Sequence, residues 1–368
     1  MKSVGIICNL MTNYGGVQTC VISLIKGLNE KGITPILLAA NTPNKLLWEE
    51  QGLSCNTKHI DYSMSMETYK KVKWLRFVWE FVFYFKTSWL KEKYDFIYIF
   101  QPNVMIDNNQ PHLFYLSMSP RAQNYSKNRI LSKFKTFFYN TLLIHIHPIF
   151  EFQKYNCVIN SNYTAQMFED YYNKEINVVY PSNSIEKYLH NEVEKVEKSV
   201  IFLSRIAIDK KPELILRLAQ QNKGFNFIIV GAVKKDNTYY KQLLIDIENL
   251  KLQNLELLIN LSYENVTKQL RQAEYYVFFA ENEHFGITTV EAMLNECIPF
   301  VHNSGGQKEI VPFEELRFEY DDLETKFKEL IAMNAFEKDA IRLKIAEHIN
   351  NFKENVFINK MLEYLPHA

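Results

Sequence analysis

From Tyr275 to Pro312 the chain reads YYVFFAENEHFGITTVEAMLNECIPFVHNSGGQKEIVP. A short apolar run rich in aromatics, Tyr275 to Ala280, reads as a buried parallel strand. Polar residues and one glycine follow, Glu281 to Gly286, and then a helical pattern from about Thr288 to Asn295. A second apolar run, Ile298 to Val301, leads into a loop, Asn303 to Gln307, and a helix start near Lys308. Strands alternating with helices imply a parallel sheet wound on both faces. In such a sheet, ligands collect where strand C-termini meet helix N-termini. This stretch supplies two such junctions in succession, both carrying polar side chains.

The same alternation runs through the rest of the chain. Val4 to Cys8 is a strand, a helix starts near Val17, and Pro35 to Ala40 is the next strand. Further strand-like runs are Asp95 to Phe100, His112 to Leu116, Cys157 to Asn160 and Ile176 to Tyr180, the last closed by Pro181. Ser184 to Lys198 is charged and glycine-free and reads as an interdomain connection. A second series follows at Val200–Leu203, Asn226–Val230, Leu255–Ile259, Tyr275–Ala280, Ile298–Val301 and Leu316–Phe318. Helices separate these strands at Glu213–Gln221, Asn237–Leu250 and Tyr263–Gln272. Asp339 to Leu365 reads as helical and amphipathic. The fold class is α/β, with two similar domains in tandem, which suits a chain of 368 residues.

Composition narrows the setting. No run of eighteen apolar residues is present, so no spanning helix is expected, and Met1 leads almost directly into a strand rather than a signal peptide. Five scattered cysteines, with no Cys-x-x-Cys pair, favour a reducing compartment over a zinc cluster or a disulfide framework. A cytoplasmic protein is expected. The net charge of zero hides an asymmetry: residues 1–150 carry 17 Lys+Arg against 9 Asp+Glu. A basic first half suits an anionic partner or a membrane surface; an uneven scatter of solvated charge reads equally well. Lys70 to Leu90 is apolar nearly all round and reads as a buried helix rather than an interfacial one. Arg129 to Phe152, with Lys133 and Lys135 beside Phe134, Phe137 and Phe138, is the better membrane-surface candidate.

Glycine is scarce, at 11 residues, and five of them fall in candidate site regions: Gly15, Gly16, Gly286, Gly305 and Gly306. Gly15 and Gly16 sit where a helix begins, so a phosphate can approach free N–H groups without meeting a Cβ; taken alone, the pair reads first as an ordinary tight strand-to-helix turn. The Gly-x-Gly-x-x-Gly fingerprint is absent, which disfavours a dinucleotide-dependent dehydrogenase. Arg205 and Lys210 lie in the loop after the first strand of the second series, before a helix starting near Pro212. Cations at that position make a diphosphate site, and taken alone they read equally well as a solvated positive loop. Glu283 lies in the loop after Ala280 and Glu291 about a turn into the next helix, so the two carboxylates are not a close dyad on one helix face. Each can accept hydrogen bonds from ligand hydroxyls. The N–H groups of Phe285 to Thr289 meanwhile form a helix N-terminus suited to phosphate. Acids for hydroxyls beside amides for phosphate describe a nucleotide sugar.

At these residues the chain resembles the family 4 retaining glycosyltransferases. Glu283-His284-Phe285-Gly286 with Glu291-Ala292-Met293 and Asn303-Ser304-Gly305-Gly306 looks like the family's E-x7-E motif. Gly15-Gly16-Val17-Gln18 is similar to its N-terminal glycine loop, and Asn160-Ser161-Asn162-Tyr163-Thr164-Ala165 to its "NS-x-YTA" segment. Ser204-Arg205 to Lys210-Lys211-Pro212-Glu213 resembles its Arg-x4-Lys element. The match spans most of the chain, and Glu-His-Phe-Gly-Ile with His-Asn-Ser-Gly-Gly is particularly similar to the branch that adds α1,2-mannose to lipid-linked oligosaccharide. The resemblance implies a GT-B fold: two Rossmann-like domains facing a cleft, with the nucleotide on the second. It implies an acceptor-binding domain over 1–184, a nucleotide-sugar domain over 185–350 and a helix over 351–368 packing toward the first domain.

The same resemblance implies roles. Glu283 would hold the hydroxyls of the donor sugar and Glu291 the ribose. Arg205 and Lys210 would stabilise the departing diphosphate, the electrostatic work this chemistry most needs. Gly15, Gly16, His284, Phe285, Gly286, Ile287 and Thr288 would line the donor site, with backbone amides at Gly16 and at Ile287 to Thr288 assisting. The donor is a GDP- or UDP-linked sugar, and neither metal nor further cofactor is implied. The acceptor is a glycan or lipid-linked glycan, met at the cytoplasmic face of a membrane, and no nucleic acid partner is expected. Ser117 and Asn103 fall on the acceptor side. The family commonly places a histidine near Ser117, a departure that speaks for one competing reading, an idle binding or scaffold subunit; the other is a transferase using a soluble acceptor. Two further departures are Lys211, where the family often has glycine, and Asn295-Glu296, where it often has a small residue and glycine.

Overall fold

The computed structural model describes residues 3–8, 11, 15–39, 42–59, 93–100, 109–117, 155–183, 194–233 and 237–366. Asn103 and the segments expected at 70–90 and 129–152 lie outside the described residues. The chain divides into two compact units, Met1–Ser182 with Glu354–Ala368, and Asn183–Lys353.

The first unit holds a seven-stranded sheet of β1 (Val4–Ile7), β2 (Ile36–Ala39), β3 (Asn56–His59), β4 (Phe96–Ile99), β5 (His112–Leu116), β6 (Cys157–Ile159) and β7 (Asn177–Val178). Its order is β3-β2-β1-β4-β5-β6-β7, with every pair parallel. Side chains alternate across the sheet, as the two-residue strand period requires. Val4 and Ile6 enter one core with α1 (Gly16–Glu30), while Ile7, Ile99 and Phe114 enter the other with α3 (Asn162–Tyr172). A short helix, α2 (Leu46–Glu49), adds Leu47 and Trp48 to the α1 side. The C-terminal helix, Glu354–Leu362, buries Phe357, Ile358 and Met361 in that same core. The Tyr98 hydroxyl donates to the Met361 carbonyl at 2.9 Å.

The second unit holds β8 (Val196–Arg205), β9 (Asn226–Ala232), β10 (Leu255–Ile259), β11 (Ala273–Phe278), β12 (Ile298–His302) and β13 (Arg317–Phe318), in the order β10-β9-β8-β11-β12-β13 and all parallel. The connecting helices are α4 (Glu213–Gln221), α5 (Thr238–Leu250), α6 (Tyr263–Gln272), α7 (Ile287–Leu294) and α8 (Gln307–Ile310). Two more, α9 (Leu323–Ile331) and α10 (Ala335–His348), follow β13. Every residue of β11 is buried, as a central strand covered on both faces must be.

Two expectations need correcting. The connection read at Ser184–Lys198 ends earlier, because β8 already begins at Val196. Its first residues are exposed and carry no apolar run, and Lys198 sits at φ 56 where the pairing with β11 shifts register. The helix read over Asp339–Leu365 is two helices. It stops at His348, where Asn350 and Asn351 side chains bond back to the last carbonyls, and restarts at Glu354.

Candidate active site

The order of the second sheet fixes where its site lies. β8 and β11 are neighbours, but the chain leaves β8 toward β9 and leaves β11 toward β12. The loops at their C-terminal ends therefore part, opening the crevice that ligands use in doubly wound sheets. One loop carries Arg205, a short turn at Ile208–Lys210, and Lys211, before α4 begins behind Pro212. The other carries Glu281 to Gly286 and ends at the start of α7.

Lys210 and Glu283 meet across this crevice. The Lys210 Nζ donates to Glu283 Oε2, and the two side chains are only 13% and 20% exposed. Lys210 also lies 3.6 Å from Asp209 and 5.6 Å from the centre of the Phe278 ring. Arg205 is 66% exposed, and its partner is Asp209 at 3.5 Å. One cation of the expected pair is thus seated on the acid, and the other reaches outward. Burial pushes the His284 imidazole below its usual range, with Lys210 acting in the same direction and Glu283 against it.

The glycines explain how the Glu283 loop keeps its shape. Gly306 N–H donates to the Glu283 carbonyl at 2.8 Å, and Asn282 N–H donates to Ser304 Oγ at 2.8 Å. A Cβ on Gly305 would lie 2.5 Å from the Glu283 carbonyl oxygen, and one on Gly306 would lie 2.6 Å from that of His284. The two loops thus touch backbone to backbone, which only glycine permits. Gly286 has φ 114 and a Cβ there would strike Gln307 Nε2. Gln307 is fully buried and accepts from Thr289 Oγ1 at 2.9 Å. The Phe285 ring is buried against Phe352, so only its backbone faces the loop chemistry. No side chain caps α7, and the N–H groups of Ile287 and Thr288 stand at its N-terminus, where the helix dipole favours an anion. The Thr288 hydroxyl is paired with the Tyr276 hydroxyl at 2.8 Å.

Glu291 lies inside, 6% exposed, and its Oε1 accepts from the Tyr263 hydroxyl. Burial pushes its carboxyl up to about 7, against the lowering effect of that hydroxyl. Glu283 and Glu291 therefore have separate partners, one a cation and the other a phenol.

In the first unit Gly15 caps α1 in extended geometry, φ −175, and both Gly15 and Gly16 are exposed. Ser117 ends β5, and its carbonyl accepts from Asn160 Nδ2 at 2.8 Å. Asn160 in turn accepts from Thr164 Oγ1 at 2.6 Å, while Ser161 Oγ caps α3 by accepting from Thr164 N–H at 3.1 Å. The Asn160-to-Ala165 segment is thus a helix cap that fixes the end of β5.

One site residue, Tyr263, was not singled out in the sequence. Tyr263 opens α6 behind the cap Ser262, at the C-terminal end of β10, so its place along the sheet was a signal. Lys211 stacks over Tyr320 at 3.5 Å and pairs with Glu281 at 3.3 Å. Both glycine departures have a geometric meaning: Lys211 and Glu296 sit at φ 49 and φ 62, left-handed positions that glycine fills without strain. Among the described residues no group of three His, Cys, Asp or Glu side chains could hold a metal ion, and no helix is long and apolar enough to cross a membrane.

Residues 185–341 match the family model described as "Glycosyl transferases group 1". The "GDP-Man:Man(3)GlcNAc(2)-PP-Dol alpha-1,2-mannosyltransferase" of Xenopus laevis is 23% identical over 261 residues, 63% of this chain and 52% of the relative. The protein of that name from Dictyostelium discoideum is 24% identical over 67% of this chain and 55% of its own length. The chain thus spans about half the length of these curated relatives. Among solved structures, a glycosyltransferase from Rickettsia africae superposes with a TM-score of 0.69 at 15% identity, covering 100% of this chain and 99% of that one. Anabaena HepE in complex with UDP and glucose superposes with a TM-score of 0.67 at 17% identity, covering 98% of both chains. The fold is GT-B.

Proposed function

We propose that this chain, which carries a group 1 glycosyltransferase domain, moves a sugar from a nucleotide-sugar donor to a glycan or lipid-linked acceptor with retention of anomeric configuration. The observation that carries this reading is the pairing of Lys210 with Glu283 at the β8/β11 crevice, beside the uncapped start of α7. A nucleotide sugar brings what each member of that pair lacks: phosphate for Lys210 and hydroxyls for Glu283. The donor exchanges one internal ion pair for two ligand contacts, so neither charge is left buried and unpaired.

In this reading the bond from the anomeric carbon to the diphosphate oxygen breaks, and the acceptor oxygen bonds to that carbon on the same face. The acceptor's proton passes to the departing diphosphate. Lys210, Arg205 and the first-turn amides of α7 offset the charge that grows on the diphosphate, so the reaction runs without a metal or other cofactor. Glu283 holds the sugar hydroxyls, and Glu291 the ribose. Gly15 and Gly16 serve the donor, and Ser117 serves the acceptor. The names of the relatives favour GDP-mannose and a lipid-linked oligosaccharide, and the HepE complexes favour UDP-glucose. The protein works at the cytoplasmic face of a membrane, which its basic first half touches.

Glu283→Ala is the test. Transfer from GDP-mannose and from UDP-glucose to lipid-linked acceptors is followed with radiolabelled sugar, beside a circular dichroism spectrum. Lost transfer with an unchanged spectrum is the expected result; turnover at the native rate overturns the assignment.

A further inference from the structure

We propose that Tyr263 is a positioning residue for nucleotide binding: its hydroxyl, donated to Glu291 Oε1, favours the carboxylate form of Glu291 that accepts from ribose hydroxyls, and ribose binding completes that shift. The inference rests on the reading of this site as a nucleotide site.

Glu291 is an acid in an apolar setting. It projects from the second turn of α7, 6% exposed, with Val290, Ala292 and Met293 buried beside it. A carboxyl group so placed protonates readily, because burial penalises the charge. A protonated carboxyl donates through one oxygen and is a poor acceptor for a diol, whose two hydroxyls each need an acceptor. A site that must accept from a ribose therefore needs something to keep this acid ionised.

Among the described residues, Tyr263 is the one whose side chain opposes that protonation. It comes from α6, 28 residues away in sequence, and donates to Oε1. The other titratable neighbours among the described residues have partners of their own. Tyr276 of β11 feels its charge but gives its hydroxyl to Thr288, and Glu283 of the preceding loop belongs to Lys210. From α8, Gln307 meets α7 through Thr289. Among the described residues no cation lies within ion-pairing distance of Glu291. With burial raising the carboxyl to about 7 and Tyr263 opposing that rise, the group is poised to change charge near neutrality. A ribose that binds only the carboxylate drives one proton from Glu291 to solvent when it binds below that pH.

The experiment compares GDP with 2′,3′-dideoxy-GDP, and UDP with its dideoxy counterpart, by calorimetry on the full chain from pH 5 to pH 9. The ratio of the two affinities cancels the titration of the phosphate. In the native chain this ratio is expected to rise by up to about 100-fold between pH 5 and pH 8 and then level off. In Tyr263→Phe, which removes only the hydroxyl, the rise moves to higher pH and the ratio recovers at pH 9. In Glu291→Gln the ratio is low and flat. A merely structural Tyr263 would lower affinity equally at every pH. A flat ratio in the native chain, or an unmoved profile in Tyr263→Phe, overturns the inference while leaving the nucleotide site intact. Failure of both GDP and UDP to bind at any pH overturns the site itself, and the inference with it.

Discussion

Two loops occupy the same topological place in the two units and solve it differently. Each follows the first strand of its sheet, β1 or β8, beside the fourth strand of that sheet, and each leads into a helix. In the first unit the junction ends on Gly15 and Gly16, both exposed. In the second it carries Arg205, Lys210 and Lys211, with no glycine between Leu203 and Glu213. One approach uses bare backbone and the other long cations. The second unit keeps its glycines one layer deeper, at Gly286, Gly305 and Gly306, where they shape the loop that carries Glu283. Glycine leaves bare backbone in one unit and shapes the Glu283 loop in the other.

Substitutions can break that contrast. Gly305→Ala combines a left-handed φ of 64 with a Cβ 2.5 Å from the Glu283 carbonyl oxygen. We expect it to cost about 4 kcal/mol of stability, the sum of left-handed strain and overpacking. Gly15→Ala, whose Cβ meets only the flexible end of Gln18, should shift stability by less than about 0.5 kcal/mol. Thermal melts of the two variants decide it, and similar losses would dissolve the distinction.

The second unit should also respond to pH through Glu291. Its folded-state carboxyl is raised to about 7, so its contribution to stability is fully present below the ordinary carboxylate range and is lost as pH rises toward 7. The loss amounts to about 3 kcal/mol. Urea unfolding of the native chain and of Glu291→Gln, compared at pH 5 and pH 8, isolates it; a constant difference between the two would count against the buried acid.

Lys210→Ala should lower nucleoside diphosphate affinity by about 30-fold, the worth of one charge-assisted hydrogen bond. It should leave Glu283 without its partner. Arg205→Ala, removing an exposed side chain, should cost less. Equal losses would mean that the two cations act as one.

The smallest effect tests the unusual backbone. Glu296 is exposed at φ 62, so Glu296→Gly should stabilise the chain by about 0.5 kcal/mol despite the added freedom of the unfolded state. Lys211→Gly relieves similar strain but gives up the Tyr320 and Glu281 contacts, so its gain should be smaller.

What could be read in the sequence follows the apolar runs. His112–Leu116, covered on both faces, announces itself to the residue, and so does Leu255–Ile259, an edge strand with no buried residue that still carries an apolar run. The edge strand Asn56–His59 did not, since NTKH has no apolar run and owes its place to pairing with β2. Val196 to Lys198 failed for the same reason. At the site, Glu283 and Lys210 stood out because each lies in a short polar loop between recognisable elements. Their direct pairing spans 73 residues and could not be seen before the sheet was closed. Tyr263 was harder still: a tyrosine at the start of a helix is ordinary until its partner, Glu291, is known to be buried.

The chain leaves the first unit after Ser182 and returns to it at Glu354. Topologically, the second unit is an insertion, with both of its ends in one host. Residues 183–353 are therefore one continuous piece that can be exchanged whole. A protein cut after Ser182 would lose Phe357, Ile358 and Met361 from its own core, together with the acceptor for Tyr98. Expression of the first half alone needs its distant last helix, joined by a linker or added back as a peptide.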